Sequence, residues 1–179
     1  MRFQRTESSA CVVSGFTIQG GTQYSYGNDC GGGLQGAGCQ ATIEYCVIQN
    51  NIVYQSSPTG GAGGIPDCDG TIRSCTIRWN YSEYGGRGLN GCDGLIEGNT
   101  IEDNGSAFGT GGLKSCNGTI RGNVVQSHYC GGLAYCNATI EGNTIDGNTA
   151  TYGGAFFNCS ATIRDNFIRN NYAYEGAVL

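Results

Sequence analysis

The chain has 179 residues, of which 33 are glycine, 11 cysteine and 11 tyrosine, and its formal net charge is −5. This length suits one domain, and the single lysine, Lys114, excludes a nucleic-acid binder that works by neutralising phosphates. No apolar run reaches the ~20 residues of a membrane span, and residues 1–9 lack the apolar segment of a signal peptide. Abundant Gly, Asn and Thr favour a β protein over a helical one.

One block of sequence recurs along the chain. Its clearest copies begin at Cys116, Cys136 and Cys159, and each contains a Thr-Ile pair followed by an asparagine. Earlier copies begin at Ser9, Cys39, Cys68 and Cys92. Seven copies of a unit a little over 20 residues long predict a solenoid.

Each copy contains two short β-branched segments, and a glycine pair then leads into a third segment such as that at Leu113. The first segments share a column of Val13, Ile43, Ile72, Ile96, Ile120, Ile140 and Ile163. The second share Ile18, Ile48, Ile77, Ile101, Val125, Ile145 and Ile168. This pattern predicts one all-β domain over residues 1–179, a single-stranded parallel β-helix of about seven coils with three short strands per coil. Stacking of the coils would line both columns into a shared core.

A column of charged residues supports the same alignment. Along the repeats it alternates strictly in sign, as Glu44, Arg73, Glu97, Arg121, Glu141 and Arg164. On an outer face each acid would lie one strand spacing from a base. Although exposed ion pairs contribute little individually, a slip of one coil would place like charges opposite each other.

These repeats resemble the right-handed parallel β-helix proteins of the pectate-lyase-like superfamily, over residues 9–179. Gly153-Gly154-Ala155 and Phe167-Ile168-Arg169-Asn170 are similar to repeats of polymorphic outer-membrane proteins and autotransporter passengers. The resemblance implies a right-handed coil, as parallel crossovers also favour, and an extracellular or cell-surface location. Because the superfamily includes lyases, hydrolases, esterases, adhesins and stalks, it leaves the function open.

The cysteines follow the repeat. Six occupy one column (Cys39, Cys68, Cys92, Cys116, Cys136 and Cys159), and Cys46 and Cys75 occupy another. In a column the side chains run side by side, which disfavours disulfides and favours stacked, reduced thiols. Cys11, Cys30 and Cys130 lie off the columns and are the candidates for a disulfide or a reactive thiol.

Asparagines form two further columns at predicted turns. One contains Asn99, Asn123, Asn143 and Asn166, and the other contains Asn51, Asn80, Asn104, Asn148 and Asn171. Asparagine tolerates left-handed turns, and stacked amides hydrogen-bond to each other. We therefore expect a structural role. His128 replaces asparagine in the fifth coil and is the one candidate for a histidine general base.

The candidate catalytic and metal-binding residues are acids in the third and fourth coils. Asp69 and Asp93 occupy the same repeat position, and Asp67 lies two residues before Asp69. Such a cluster would bind Ca²⁺ or provide an acid and a base for hydrolysis; the alternative is that these are ordinary turn residues. Lyases of the superfamily that these repeats resemble pair a calcium-binding acid cluster with a catalytic base, for which Arg87 is the candidate.

Aromatic side chains concentrate in the connections of the second and third coils. Tyr54, Trp79, Tyr81 and Tyr84 would stack on sugar rings or cover the side of the rod. Two functions therefore stay open. One is a non-catalytic interaction module that binds a polysaccharide or cell-surface glycan through its variable loops. The other is a polysaccharide lyase or glycoside hydrolase, with Ca²⁺ as the only cofactor that the sequence suggests.

The ends of the sequence contain nothing similar to a solenoid cap. Open β-helix edges pair readily with other strands. We therefore expect either a longer rod or self-association through the edge at Val178 and Leu179.

Overall fold

The computed structural model describes residues 1–25, 30–55, 61–105 and 110–176, and these residues wind into seven successive coils. Each coil begins with a three-residue strand, and these strands pair in parallel from coil to coil. They are β1 (Val12–Ser14), β4 (Thr42–Glu44), β8 (Thr71–Arg73), β12 (Leu95–Glu97), β15 (Thr119–Arg121), β18 (Thr139–Glu141) and β22 (Thr162–Arg164). The predicted parallel β-helix is confirmed.

A sharp corner leads to the second sheet, which contains β2 (Thr17–Gln19), β5 (Val47–Gln49), β9 (Thr76–Arg78), β13 (Thr100–Glu102), β16 (Val124–Gln126), β19 (Thr144–Asp146) and β23 (Phe167–Arg169). The corner requires a left-handed residue. Gly15, Gly98, Gly122 and Gly142 provide it in four coils, with φ between +62° and +77°, and Tyr45, Ser74 and Asp165 adopt it in the other three. A side chain is strained in this conformation, which explains the recurrent glycine.

The rest of the coil is less regular. The segment predicted after the glycine pairs forms β7 (Ile65–Pro66), β11 (Leu89–Asn90), β14 (Leu113–Lys114), β17 (Leu133–Ala134) and β21 (Phe156–Phe157). Some coils contain a further strand before it. These strands are β3 (Thr22–Ser25), β6 (Ile52–Gln55), β10 (Tyr81–Ser82), β20 (Thr149–Tyr152) and β24 (Tyr172–Glu175). Coils with both segments therefore have four strands, one more than the sequence predicts.

The isoleucine columns form the predicted central core. Ile72, Ile96 and Ile120 are direct neighbours in adjacent coils, and each is at most 1% exposed. Ile163 and Ile168 in the last coil are partly exposed, because only one side of that coil has a described neighbour. The burial confirms that matching positions of the repeat lie over one another. The edge at Val178 and Leu179 lies outside the described residues, and self-association through it stays a prediction.

The cysteine columns also lie in the core. No disulfide joins any of the eleven cysteines. The sulfurs of Cys39 and Cys68 lie 3.5 Å apart. Burial raises the pKa of Cys75 to about 12 and also raises the pKa of Cys116 well above its ordinary value. Cys75 and Cys116 are therefore protonated core residues. Of the three off-column cysteines, Cys30 is fully buried, and only Cys11 and Cys130 are partly exposed.

Both predicted asparagine ladders are present. In the first, Asn123 Nδ2 donates to the carbonyl of Ile96 at 2.9 Å and to Asn143 Oδ1 at 3.0 Å. Its Oδ1 accepts from the backbone N–H of Asn99 at 2.9 Å and from the Asn99 side chain at 3.0 Å. The amide thus satisfies buried backbone groups that the corner leaves out of the sheets.

The charged column lies on the outer face of the first sheet. Arginine pairs with the glutamate of the preceding coil, as Arg73 Nη2 does with Glu44 at 2.6 Å and Arg121 Nε does with Glu97 at 2.8 Å. The hydrogen bond to Glu44 raises the pKa of Arg73. The strands bring these residues into register, as the alternation of sign predicts.

Replacing Arg121 with glutamate tests this register. The new carboxylate would lie between those of Glu97 and Glu141, so that three acidic side chains would follow one another from coil to coil. We expect the free energy of unfolding to fall by about 1 kcal/mol at low salt, because like charges would lie opposite on neighbouring strands. The difference in the free energy of unfolding between variant and wild type should shrink in about 0.5 M NaCl, because salt at this concentration screens exposed charges strongly. A loss that salt leaves unchanged would contradict the electrostatic explanation. Urea denaturation of both proteins at low salt and in about 0.5 M NaCl measures the two free energies of unfolding.

Candidate binding groove

A groove of about 510 Å³ crosses the third to sixth coils. It lies on the side formed by the irregular strands, where the coils differ in length. Five of the 14 residues that line it are aromatic, namely Tyr84, Tyr129, Tyr135, Tyr152 and Phe157. Lys114 and Cys130 also line it.

The aromatic wall is built by stacking of the fifth and sixth coils. Phe157 lies at the centre, with the ring of Tyr135 5.4 Å away in an edge-on arrangement and that of Tyr152 6.0 Å away. Tyr152 keeps 51% and Tyr135 keeps 41% of its surface exposed. Phe157 fixes the two tyrosines, whose rings still offer apolar surface and hydroxyl groups to a ligand.

A cationic group lies beside this wall. Lys114 follows Leu113 at the end of β14, and its Nζ donates to the carbonyl of Tyr84 at 3.3 Å. Burial lowers the pKa of Lys114, and the charge of Arg87 lowers it further. The groove therefore combines aromatic surface with a half-buried ammonium group.

Arg87 lies behind the groove and not within it. The side chain is fully buried, its Nε donates to the carbonyl of Ser82 at 2.8 Å, and burial lowers its pKa. The predicted catalytic role of Arg87 therefore gains no support from the structure, because the guanidinium is inaccessible.

Two of the acidic candidates accept hydrogen bonds from backbone N–H groups in exposed turns. Asp69 Oδ1 accepts from the N–H of Asp93 at 3.2 Å, and Asp93 Oδ1 accepts from the N–H of Asn117 at 2.9 Å. Asn137 continues this series in the next coil. Asp67 is a partly buried turn residue with a left-handed φ of +50°. This favours the interpretation of Asp67, Asp69 and Asp93 as turn residues.

The calcium and hydrolase hypotheses gain no support from this arrangement. Throughout the ranges that the structure describes, no three His, Cys, Asp or Glu side chains are grouped so that they could hold a metal ion. The one predicted base of the acid cluster, Arg87, is buried.

His128 is part of the second asparagine ladder. It is 1% exposed, its ring Nδ1 accepts from the backbone N–H of Asn104 at 3.2 Å, and its own backbone N–H donates to Asn148 Oδ1 at 3.1 Å. Burial lowers its pKa to about 4. A general base must reach its substrate, so this position does not suit the catalytic role that the sequence leaves open.

Of the four predicted sugar-stacking residues, only Tyr84 lines the groove. Tyr54 stacks on Tyr24 at 5.0 Å and lies 6.1 Å from the ring of Tyr81, so these rings cover one another on the side of the rod. The guanidinium of Arg78 lies 4.0 Å from the ring centre of Trp79.

The sequence does contain a signal for the groove. Tyr129 and Tyr152 each lie four residues before a buried core residue of the last segment, Leu133 and Phe156, which pair across coils. They therefore share a position relative to the core residue of the last segment, and both line the groove.

Comparison with known proteins identifies the repeat. A family model described as a right-handed β-helix region matches residues 4–174. No curated protein and no solved structure matches the chain. The predicted right-handed β-helix is thereby confirmed, whereas the closer likeness to outer-membrane and autotransporter repeats stays a prediction.

No helix within the described residues is long and apolar enough to cross a membrane.

Proposed function

Because the chain belongs to the right-handed β-helix family, we propose that it is a non-catalytic interaction module whose groove binds a glycan. The rod supplies a rigid frame, and the variable parts of four adjacent coils supply the binding surface. This division suits a repeat protein, in which length differences between repeats collect on one side.

The aromatic wall carries the proposal. Exposed rings of Tyr135 and Tyr152, fixed by Phe157, form the kind of surface on which the apolar faces of sugar rings stack. The hydroxyl groups of these tyrosines and the ammonium group of Lys114 would orient the sugar hydroxyls. A groove open at the surface also suits a chain ligand better than an enclosed pocket does.

Glycan-array screening followed by calorimetry on the best ligand tests the proposal. We expect Tyr135→Ala and Tyr152→Ala each to weaken binding by about three- to tenfold, the value of one aromatic stacking contact. Tyr45→Ala is the matched control, because Tyr45 is 62% exposed in a corner between the first two sheets and does not line the groove. Glycan binding that the two groove variants leave unchanged, or an array without any bound glycan, would contradict the proposal.

A further inference from the structure

Two tyrosines lie directly opposite each other on the outer side of the first two coils. Tyr24 of β3 is the register partner of Tyr54 of β6, and the two rings stack with their centres 5.0 Å apart and their planes 16° apart. Val53 is fully buried, and because side chains alternate along a strand, its neighbour Tyr54 points outward. Tyr24 keeps 78% and Tyr54 keeps 37% of its surface exposed. The pair is therefore held together by strand pairing and is open to reagents in solution.

Stacked phenol rings favour one kind of covalent chemistry. A phenol that loses an electron and a proton becomes a phenoxyl radical, whose unpaired electron is shared with the ring carbons next to the carbon that carries the oxygen. Two such rings couple when these carbons meet. Because strand pairing holds the rings of Tyr24 and Tyr54 face to face, their coupling is a reaction within one molecule, which is strongly favoured over an encounter between two molecules.

We propose that Tyr24 and Tyr54 are a site of oxidative cross-linking, at which a haem peroxidase and hydrogen peroxide join the two rings as dityrosine. Each hydroxyl group gives up one electron and one proton. The two unpaired electrons then form a carbon–carbon bond between the rings, and the hydrogen on each bonded carbon moves to the oxygen of its own ring, which restores both phenols. One hydrogen peroxide takes up the two electrons and two protons and becomes two molecules of water.

The backbone is already arranged for this bond. The strands β3 and β6 pair over four residues, Thr22–Ser25 with Ile52–Gln55. The two tyrosine side chains leave the paired strands on the same face, so rotation of the side chains is enough to bring the ring carbons together. The product joins the first coil covalently to the second.

Other tyrosine pairs are less well placed. Tyr81 lies diagonally to Tyr54, because its register partner is Ile52, and its ring is 6.1 Å away and tilted by 52°. Tyr172 and Tyr174 are exposed, but they belong to one strand and their rings meet edge-on, at 71° and 5.7 Å. These pairs therefore serve as comparisons within the same chain.

The first experiment uses the unmodified chain. Dilute protein is treated briefly with a haem peroxidase and hydrogen peroxide, dityrosine is detected by its fluorescence, and linked peptides are identified by mass spectrometry. Digestion after glutamate separates the two tyrosines, because Glu44 lies between them in the sequence. We expect the link between Tyr24 and Tyr54 to form about tenfold faster than any other link. A comparable yield from Tyr172 and Tyr174, or of links between molecules, would overturn the proposal.

The second experiment removes one phenol. Tyr54→Phe keeps a ring to stack on Tyr24 but has no hydroxyl group from which a phenoxyl radical could form, so we expect linking of Tyr24 to fall by about tenfold in a folded protein. Tyr45→Phe is the matched control, because Tyr45 is exposed and lies in the same glutamate-bounded peptide but occupies the corner between the first two sheets. This variant should leave the yield unchanged.

Far-UV circular dichroism checks that both variants are folded. Unchanged linking of Tyr24 in folded Tyr54→Phe would overturn the proposal, because Tyr24 would then couple to a different ring. An equal fall in Tyr45→Phe would overturn it as well, since the loss would not depend on the stacked pair.

Discussion

Replacing Asn123 with alanine is expected to lower the free energy of unfolding by about 4 kcal/mol. The substitution removes the only side-chain acceptor shown for the backbone N–H of Asn99 and the donor to the carbonyl of Ile96. It also breaks the amide ladder between Asn99 and Asn143. Each buried polar group left without a partner costs about 1–3 kcal/mol. Asn123 is 1% exposed, so water cannot replace the lost bonds without opening the coil.

The matched control is Asn117→Ala. Asn117 also links successive coils, since its Nδ2 donates to Asp93 and its Oδ1 accepts from the N–H of Asn137, but it does so in solvent. Water substitutes for these bonds, and we expect a loss below about 1 kcal/mol. Urea denaturation, followed by far-UV circular dichroism, measures both. Equal losses for the two variants would show that burial of the ladder does not determine its contribution.

The coil and its register are predictable because they rest on residues that recur. Ile96 in one coil and Ile120 in the next occupy equivalent positions, and the strands pair at these residues. Successive coils face nearly the same environment, so a requirement for an apolar core residue, a corner glycine or a ladder asparagine is repeated in each one. The same residue type therefore recurs at the same repeat position, and one sequence is enough to reveal the requirement.

The extra strand in some coils is not predicted by any residue type that recurs in the sequence. Tyr81–Ser82 and Thr149–Tyr152 share no residue pattern, because this strand is held by backbone hydrogen bonds that most side chains allow. Side chains at these positions vary with the length of the connection. The backbone pairing is therefore visible only in three dimensions.

The groove is predicted least well, since its residues come from different coils and each is unremarkable within its own repeat. Phe157 becomes the centre of an aromatic wall only when Tyr135 of the preceding coil is stacked beneath it. The burial of Arg87 is unexpected for a related reason. A charged residue among glycines is typical of an exposed loop, but the Arg87 side chain is fully buried inside the coil.

His128 is expected to make the stability of the protein fall steeply between pH 6.5 and pH 4. Its pKa is lowered from 6.5 to about 4 because burial disfavours the charged ring. Above pH 6.5 the ring is neutral in both the folded and the unfolded state, and it imposes no penalty. As the pH falls, the unfolded chain binds a proton that the folded chain does not bind until about pH 4. Unfolding is therefore favoured progressively across this interval.

A difference of roughly 2.5 pKa units at about 1.4 kcal/mol each amounts to about 3.5 kcal/mol. Because the folded ring is itself about half protonated at pH 4, the expected loss from pH 7 to pH 4 is about 3 kcal/mol. The variant His128→Asn isolates the contribution of the histidine to this loss. The chain has one histidine, and asparagine occupies the same position in the neighbouring coils, at Asn104 and Asn148. The carboxylates titrate in both proteins, so subtracting one urea-denaturation series from the other leaves the histidine contribution. If the two series ran parallel from pH 7 to pH 4, His128 would have to be hydrated or protonated in the folded state. In that case the ring would not fill the place of an amide in the buried ladder.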